Sequence, residues 1–337
     1  MSVRAARHCI LMLGVAAMTT VAGAVELRIE GTQFTLDGQP TFLLGISYYG
    51  ALGAPMEFVR QDFDDFKARG INWVRVWATW GYGGNVVSAV TGSGRPREPF
   101  MDNLVRLVRE ADERGIVVDV TISRGNGAVS PDDSVQGLDA HLRAVKTLVI
   151  ALKPFRNVYF DLGNERNIRD PRYVPMDDLK VLRAAVAEID PKRLVTASHA
   201  GDISDEELRD YLDVAGVDFI APHRPRNANS PGQTEAMTRR YLKATARLGR
   251  AVPVHYQEPF RRDFSPWQPV AQDFLTDLRA AVRGGAAGWC LHNGGPRRDY
   301  KGPDRSFDMR RRRLMDQLDA EETAALEGMA RVVAQAK

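Results

Sequence analysis

Apolar residues in this chain fall into short runs separated by longer amphipathic stretches, and the alternation recurs about eight times. The runs are Thr41–Ser47, Ile71–Trp77, Ile116–Ile122, Asn157–Leu162, Arg193–Ser198, Val217–Pro222, Val254–Gln257 and Ala287–Leu291. Several are apolar at consecutive positions, the pattern of parallel strands buried on both faces. Between them, apolar residues recur three and four apart. Val59, Phe63 and Phe66 form one stripe, and Met101, Leu104, Val108 and Ala111 form another, as amphipathic helices require. Gly70 and Gly115 fall where helix gives way to strand, a position that favours a left-handed C-cap. Ahead of the first run, Leu27–Ile29 and Gln33–Leu36, followed by Asp37-Gly38, predict a small hairpin able to plug the bottom of a barrel. Eight successive strand–helix units over this length favour a single-domain α/β fold, the (β/α)8 TIM barrel, over an open doubly wound sheet with the same local pattern.

The N-terminus follows another rule. Arg4 and Arg7 precede an apolar run from Cys9 to about Val21 that closes in Ala22-Gly23-Ala24, the pattern of a secretory signal peptide with cleavage expected before Val25. The apolar core is shorter than the roughly 20 residues of a membrane span, and it carries Gly14, Thr19 and Thr20. Residues 1–24 are therefore expected to direct export, to a periplasm or beyond the cell, and residues 25–337 to form the barrel.

Of the two cysteines, Cys9 lies in that leader, which leaves Cys290 with no partner for an internal disulfide or a cysteine metal site. A hydrophobic core must hold the fold. No linker or composition shift divides the chain, and a monomer is the default expectation. Charge adds little: 46 basic against 43 acidic residues give +3, too small an excess to suggest a nucleic-acid partner. The Arg310–Arg313 run reads as a solvated turn of a C-terminal helix.

In a (β/α)8 barrel the chemistry lies at the C-terminal ends of the strands. The fourth run ends in Gly163-Asn164-Glu165-Arg166-Asn167, and the seventh in Tyr256-Gln257-Glu258-Pro259. Two carboxylates thus reach the mouth from strands on different sides of the barrel. Glycosidic cleavage with retention needs such a pair, one acid to protonate the leaving oxygen and one carboxylate to attack the anomeric carbon.

With these residues the chain resembles glycoside hydrolase clan A, the cellulase-like (β/α)8 barrels, in which an Asn-Glu pair ends strand four and a Glu ends strand seven. The resemblance implies that Glu165 is the general acid/base, that Glu258 is the nucleophile, and that Asn164 binds the 2-hydroxyl of the sugar being cleaved. It assigns Arg75, in the second run, to orienting the nucleophile; an Arg that only braces the barrel against a structural acid is the alternative, since a buried Arg needs a partner. His223, ending the sixth run, is implied as a substrate contact, or else is a hydrogen-bonded surface histidine. Trp289, in the eighth, is implied as the floor beneath the sugar, or else packs outward against a helix. Tyr256, two residues before Glu258, is expected on the same face of its strand and within reach of the nucleophile. Tyr48, Tyr49, Trp77 and Trp80 could be sugar platforms or core. Departures are visible too: Ser123-Arg124 stands where many members carry a His after strand three, and His223-Arg224-Pro225 where many carry His-x-Tyr.

The resemblance does not supply the arginines that follow strand ends: Arg124, Arg166, Arg224, Arg226, Arg261, Arg262, Arg297 and Arg298. Facing the cleft, they would favour an acidic, uronate-containing polysaccharide. The other reading makes them ordinary loop residues neutralised by Asp132, Asp133, Asp202 and Asp299.

The function expected is retaining hydrolysis of a polysaccharide or oligosaccharide without metal or organic cofactor. The alternatives are a catalytically inactive carbohydrate-binding barrel, or a transglycosidase on the same scaffold. A lyase or aldolase barrel would advertise a Schiff-base Lys or a His/Asp metal cluster at strand ends, and neither is evident.

Overall fold

The fold begins with a small antiparallel sheet, β1 (Leu27–Glu30), β2 (Gln33–Leu36) and β3 (Gln39–Thr41). The expected hairpin is its first two strands, and Asp37-Gly38 turns the chain into the third. Parallel strands and helices then alternate: β4 (Leu43–Ser47), α1 (Met56–Ala68), β5 (Trp73–Trp77), a short ribbon of β6 (Gly81–Tyr82) and β7 (Asn85–Val86), α2 (Phe100–Asp112), β8 (Val117–Thr121), α3 (Gly137–Leu152), β9 (Val158–Asp161), α4 (Met176–Ile189) and β10 (Val195–Thr196). Next come α5 (Asp205–Arg209), α6 (Ser230–Arg247), β11 (His255–Tyr256), α7 (Ala271–Gly284), β12 (Gly288–Leu291) and α8 (Ala320–Ala336). This computed structural model describes residues 25–125, 134–295 and 304–336. The expected leader, Asp132, Asp133, Arg297, Arg298 and Asp299 lie outside them.

The parallel sheet runs β10-β9-β8-β5-β4-β12-β11. Its two edges are joined through the sixth run, which makes isolated parallel bridges, His199 to Pro222 and Ile220 to Val254, in place of a regular strand. Pro222 and Pro253 have no N–H to give, so the ladder shortens to bonds such as Ile220 N to Pro253 O (3.1 Å) and His199 N to Ala221 O (3.1 Å). The result is a closed (β/α)8 barrel.

Alternation sorts each strand into two sets. Leu43, Trp73, Val117, Tyr159 and Phe219 face inward at the bottom, where Leu27 and Phe34 of the N-terminal sheet pack against them. The Phe34 ring meets Phe219 and His255 edge to face, at 5.1 and 5.4 Å. Gly45 makes room for this layer, since a Cβ there would stand 1.8 Å from the Trp73 ring. The other set faces the helices. The stripes Val59, Phe63, Phe66 and Met101, Leu104, Val108, Ala111 are buried, and Gly70 and Gly115 take the left-handed conformation with φ of 74° and 73°.

Two expectations are corrected. Val217–Pro222 is not a continuous strand, for the reason just given. Arg310–Arg313 lies in bends before α8, with Arg310 paired to Asp308 and Arg313 to Asp65, because Leu314–Asp316 forms a separate 3-10 turn ahead of the helix.

Candidate active site

Above the apolar bottom layer the barrel interior turns polar. Arg75, fully buried on β5, donates to Asp119 Oδ2 (3.1 Å) and Thr121 Oγ1 (3.0 Å) on β8, to Asp161 Oδ2 (2.8 Å) on β9, to Asn164 Oδ1 (3.0 Å), and through Nη1 to Glu258 Oε1. One guanidinium therefore braces the barrel and holds Glu258 at the same time, so the two roles open to this residue coexist. Gln257 lies beneath, donating to Asp119 Oδ2 at 2.7 Å. Burial pushes the Asp119 carboxyl up to about 7, against the pull of Arg75.

Glu165 and Glu258 stand over this layer, each with a carboxylate oxygen within 4.8 Å of the other and of a ring nitrogen of His223. Glu165 follows the end of β9 with φ 44°, a left-handed conformation that costs a non-glycine residue roughly 1–3 kcal/mol and recurs at functional sites. Its backbone N–H is fixed by Ser198 Oγ at 3.0 Å. Glu258 accepts from Tyr49 Oη at 2.9 Å as well as from Arg75. Arg226 Nη2 bridges the pair, 2.8 Å from Glu165 Oε1 and 2.8 Å from Glu258 Oε2. His223 Nδ1 lies 3.3 Å from Glu165, and His292 Nε2 lies 3.5 Å from Glu258.

Burial opposes the charge on both glutamates and is overcome. Arg226 and a hydrogen bond from His223 hold Glu165 down to about 2, against the repulsion of Glu258. His292, Arg75, His223 and Arg226 hold Glu258 well below the usual carboxylate range. Burial depresses His292 well below the usual imidazole range against the pull of Glu258, and its Nε2 makes no hydrogen bond among the described residues. The spacing of Glu165, His223 and Glu258 would accept a divalent ion. The Arg226 guanidinium already stands between the two carboxylates there, a fixed cation where the ion would go.

The cavity over these groups is about 920 Å³ and is lined by Asn164, Glu165, Glu258 and an aromatic cluster of Tyr49, Trp77, Trp80 and Phe307. Tyr49 stacks on Trp77 at 5.2 Å and meets Trp80 and Phe307 at 4.8 and 4.9 Å. Of the strand-end arginines, Arg224, Arg226 and Arg261 line the cavity, joined by Arg172 from the loop after β9. Arg124 turns away to Asp178, Arg262 to Asp319, and Arg166 stacks on Tyr173 and Tyr211.

The structure brings four of the residues singled out in the sequence together: Arg75, Asn164, Glu165 and Glu258. His223 is fully buried behind both glutamates and is not part of the cavity wall. Trp289 is corrected. It points away from the cavity and donates from Nε1 to Asp277 Oδ2 on α7 at 2.7 Å, because Gly288, Cys290 and His292 share the inward phase of β12. Tyr256 is corrected likewise: it faces α6, 2.7 Å from Thr238 Oγ1. Regular alternation ends at Tyr256, and the bend that follows brings both Gln257 and Glu258 inward. Tyr48 also faces outward, to Asp62 on α1 at 2.9 Å. The residues that reasoning missed are Tyr49 as the hydroxyl on Glu258, His292 and Phe307. Only His292 carried a signal, as a polar residue in phase with the small Gly288 and Cys290.

No protein-family model matches the sequence, and no curated protein matches it. Solved structures do. A glycoside hydrolase family 5 structure from Bacteroides vulgatus aligns with a TM-score of 0.65 over 90% of this chain and 70% of its own, at 17% identity. An endo-1,4-beta-mannanase from Rhizomucor miehei gives 0.62 over 92% and 99%, at 15% identity. A beta-1,4-D-mannanase from Cryptopygus antarcticus gives 0.60 over 90% and 94%, at 13% identity. At such identities the likeness shows the fold: the chain is a (β/α)8 barrel of the architecture found in the family 5, cellulase-like glycoside hydrolases of clan A.

Proposed function

We propose that this protein is a retaining glycoside hydrolase that cleaves β-linked O-glycosidic bonds in a polysaccharide or oligosaccharide. The observation that carries the reading is the pair of carboxylates at the barrel mouth. An oxygen of each lies within 4.8 Å of the other, a close approach that suits the roughly 5–5.5 Å carboxyl separation of retaining pairs. The shared fold with family 5 hydrolases supports it.

Glu258 is the nucleophile. Arg75 and Tyr49 hold one of its oxygens and keep it ionised, while the other faces the anomeric carbon. Glu165, once protonated, gives its proton to the leaving oxygen as the glycosyl ester forms on Glu258. It then takes a proton from the water that resolves the ester. Loss of the negative charge on Glu258 in the ester lowers the proton affinity of Glu165 between the two steps. Asn164 accepts from Arg75 through Oδ1, so its amide nitrogen is the group available to the 2-hydroxyl. Tyr49, Trp77, Trp80 and Phe307 offer flat apolar faces to the C–H surfaces of sugar rings. The leader-like pattern of residues 1–24 supports export of this activity from the cytoplasm.

Release of reducing ends from β-glucans, mannans, xylans and uronic-acid polymers, by the protein and by its Glu258→Ala variant, tests the reading. Turnover of any polymer that vanishes in the variant is expected. Turnover unchanged in the variant removes Glu258 as nucleophile, and silence on every polymer contradicts the hydrolase reading.

A further inference from the structure

We propose that the cleft takes a carboxylate-bearing sugar, a uronate, and that Arg226 is the residue that recognises it, exchanging its contact with Glu165 for the sugar carboxylate. This rests on the hydrolase reading above. Arg226 Nη2 lies 2.8 Å from each glutamate and so spans the gap in which the scissile bond must sit. The guanidinium packs over the Phe264 ring at 4.7 Å, and a second guanidinium, Arg261, lies 5.1 Å from the same ring.

Two of the remaining cavity arginines have acid partners outside the catalytic pair. Arg172 pairs with Asp170 at 2.6 Å and more distantly with Glu165 at 3.4 Å, and Arg224 pairs with Asp202. Arg261 is different. Among the described residues its hydrogen bond goes to the Gly295 carbonyl, and it pairs with no carboxylate. Neutralisation by neighbouring acids thus accounts for Arg124, Arg224 and Arg262, and leaves Arg226 and Arg261 facing the cavity.

Charge balance along the reaction turns this arrangement into a specificity device. Acid catalysis requires a neutral Glu165, and protonation leaves Arg226 only Glu258, which Arg75 already holds. Arg226 and Arg261 in this largely desolvated cleft are then left with a single carboxylate, Glu258, which Arg75 also holds, and that is costly. A sugar carboxylate set against Arg226 in the two-pronged geometry of guanidinium and carboxylate supplies the missing charge. Arg226 leaves Glu165, and Glu165 takes up a proton from solvent. A neutral sugar offers no such exchange and leaves the guanidinium on the acid/base.

The test uses uronic-acid oligosaccharides beside their carboxyl-reduced counterparts, in which CH₂OH replaces the carboxylate and every linkage is kept. The parent should turn over the native form with a kcat/KM roughly tenfold or more above the reduced form, the scale of one charge-assisted contact. Arg226→Gln should abolish that preference, and Arg226→Lys, which keeps the charge without the fork, should restore part of it. Arg226→Gln should also move the basic limb of the pH profile upward on the reduced substrate, because Glu165 then holds its proton to higher pH. Equal turnover of the two forms by the parent, or a preference that survives Arg226→Gln, overturns the inference while the hydrolase reading stands. Where nothing is cut, calorimetric binding of the same pairs decides. Tighter binding of the native form that Arg226→Gln loses upholds recognition of the carboxylate and sinks the hydrolase reading. Equal binding, or none, overturns the inference.

Discussion

Replacing Arg75 by Met isolates the ionic layer on which the candidate site stands. The side chain is fully buried and donates to three carboxylates, Asp119, Asp161 and Glu258, as well as to Thr121 and Asn164. Methionine keeps much of the length and none of the donors. Removing one member of a buried ionic network costs roughly 3–5 kcal/mol, because the acids left behind lose their partner without regaining water. At roughly 2 °C per kcal/mol for a chain of this size, the melting temperature should fall by about 6–10 °C near pH 7.5.

The pH dependence gives the argument its sign. Glu258 is held well below its ordinary value in the parent, so its contribution to stability is present above the unfolded value of about 4.3 and is lost as pH falls through the folded value. Asp119, already pushed up to about 7 by burial, climbs further without Arg75, and its ionisation becomes a growing cost as pH rises. Both effects widen the gap between parent and variant at neutral pH, and it narrows near pH 4, where the variant's acids are protonated while the parent's Glu258 is still ionised. Calorimetric or circular-dichroism melts at pH 7.5 and 4 measure this. A gap under about 2 °C at pH 7.5, or an equal gap at pH 4, would refute the account of a charge-balanced layer built on Arg75.

Tyr49→Phe removes one hydrogen bond to an ionised Glu258, a loss of roughly 1.5–3 kcal/mol that should lower kcat by about 10- to 150-fold and the melting temperature by about 3–6 °C. A kcat within twofold of the parent would show that the hydroxyl does no more than fill space. Trp289→Ala should cost roughly 3–5 kcal/mol of stability without a change in KM, since it empties a fully buried site away from the cavity and strands Asp277, whereas Trp80→Ala, at a buried position on the cavity wall, should lower the melt and also raise KM. A KM effect at Trp289 with none at Trp80 contradicts the assigned orientations. Dialysis against a chelator should leave turnover intact, and a loss restored by a divalent ion would place a metal between Glu165, His223 and Glu258.

Much of the site is legible in the sequence because the barrel converts strand ends into neighbours. Glu165 and Glu258 stand 93 positions apart (258 − 165) in the chain, yet both sit just past a strand, and the topology does the rest. Arg75 is legible for a related reason, as the lone charge within a run otherwise buried. Trp289 shows where this logic needs a phase. Side chains alternate along β12, so a register read one residue off sends the indole to the cleft when it belongs against α7. Tyr256 shows where alternation stops applying, since the period of two ends with the strand and the following bend re-aims Gln257 and Glu258 together. Arg226 could not be foreseen as the bridge between the glutamates. Its position depends on a loop that leaves the shortened sixth strand through Arg224 at φ 51° and then Pro225, a path that no periodicity encodes.

The central claim, that Glu258 attacks the anomeric carbon while Glu165 protonates the leaving oxygen, makes a stereochemical statement. Proton magnetic resonance of the first sugar released from a β-linked substrate, recorded before mutarotation, reads it directly. The account predicts that the β-anomer appears first, the configuration kept through two inversions. Initial release of the α-anomer would contradict it, since a single displacement by water would then have done the cleavage and Glu258 would not be a nucleophile.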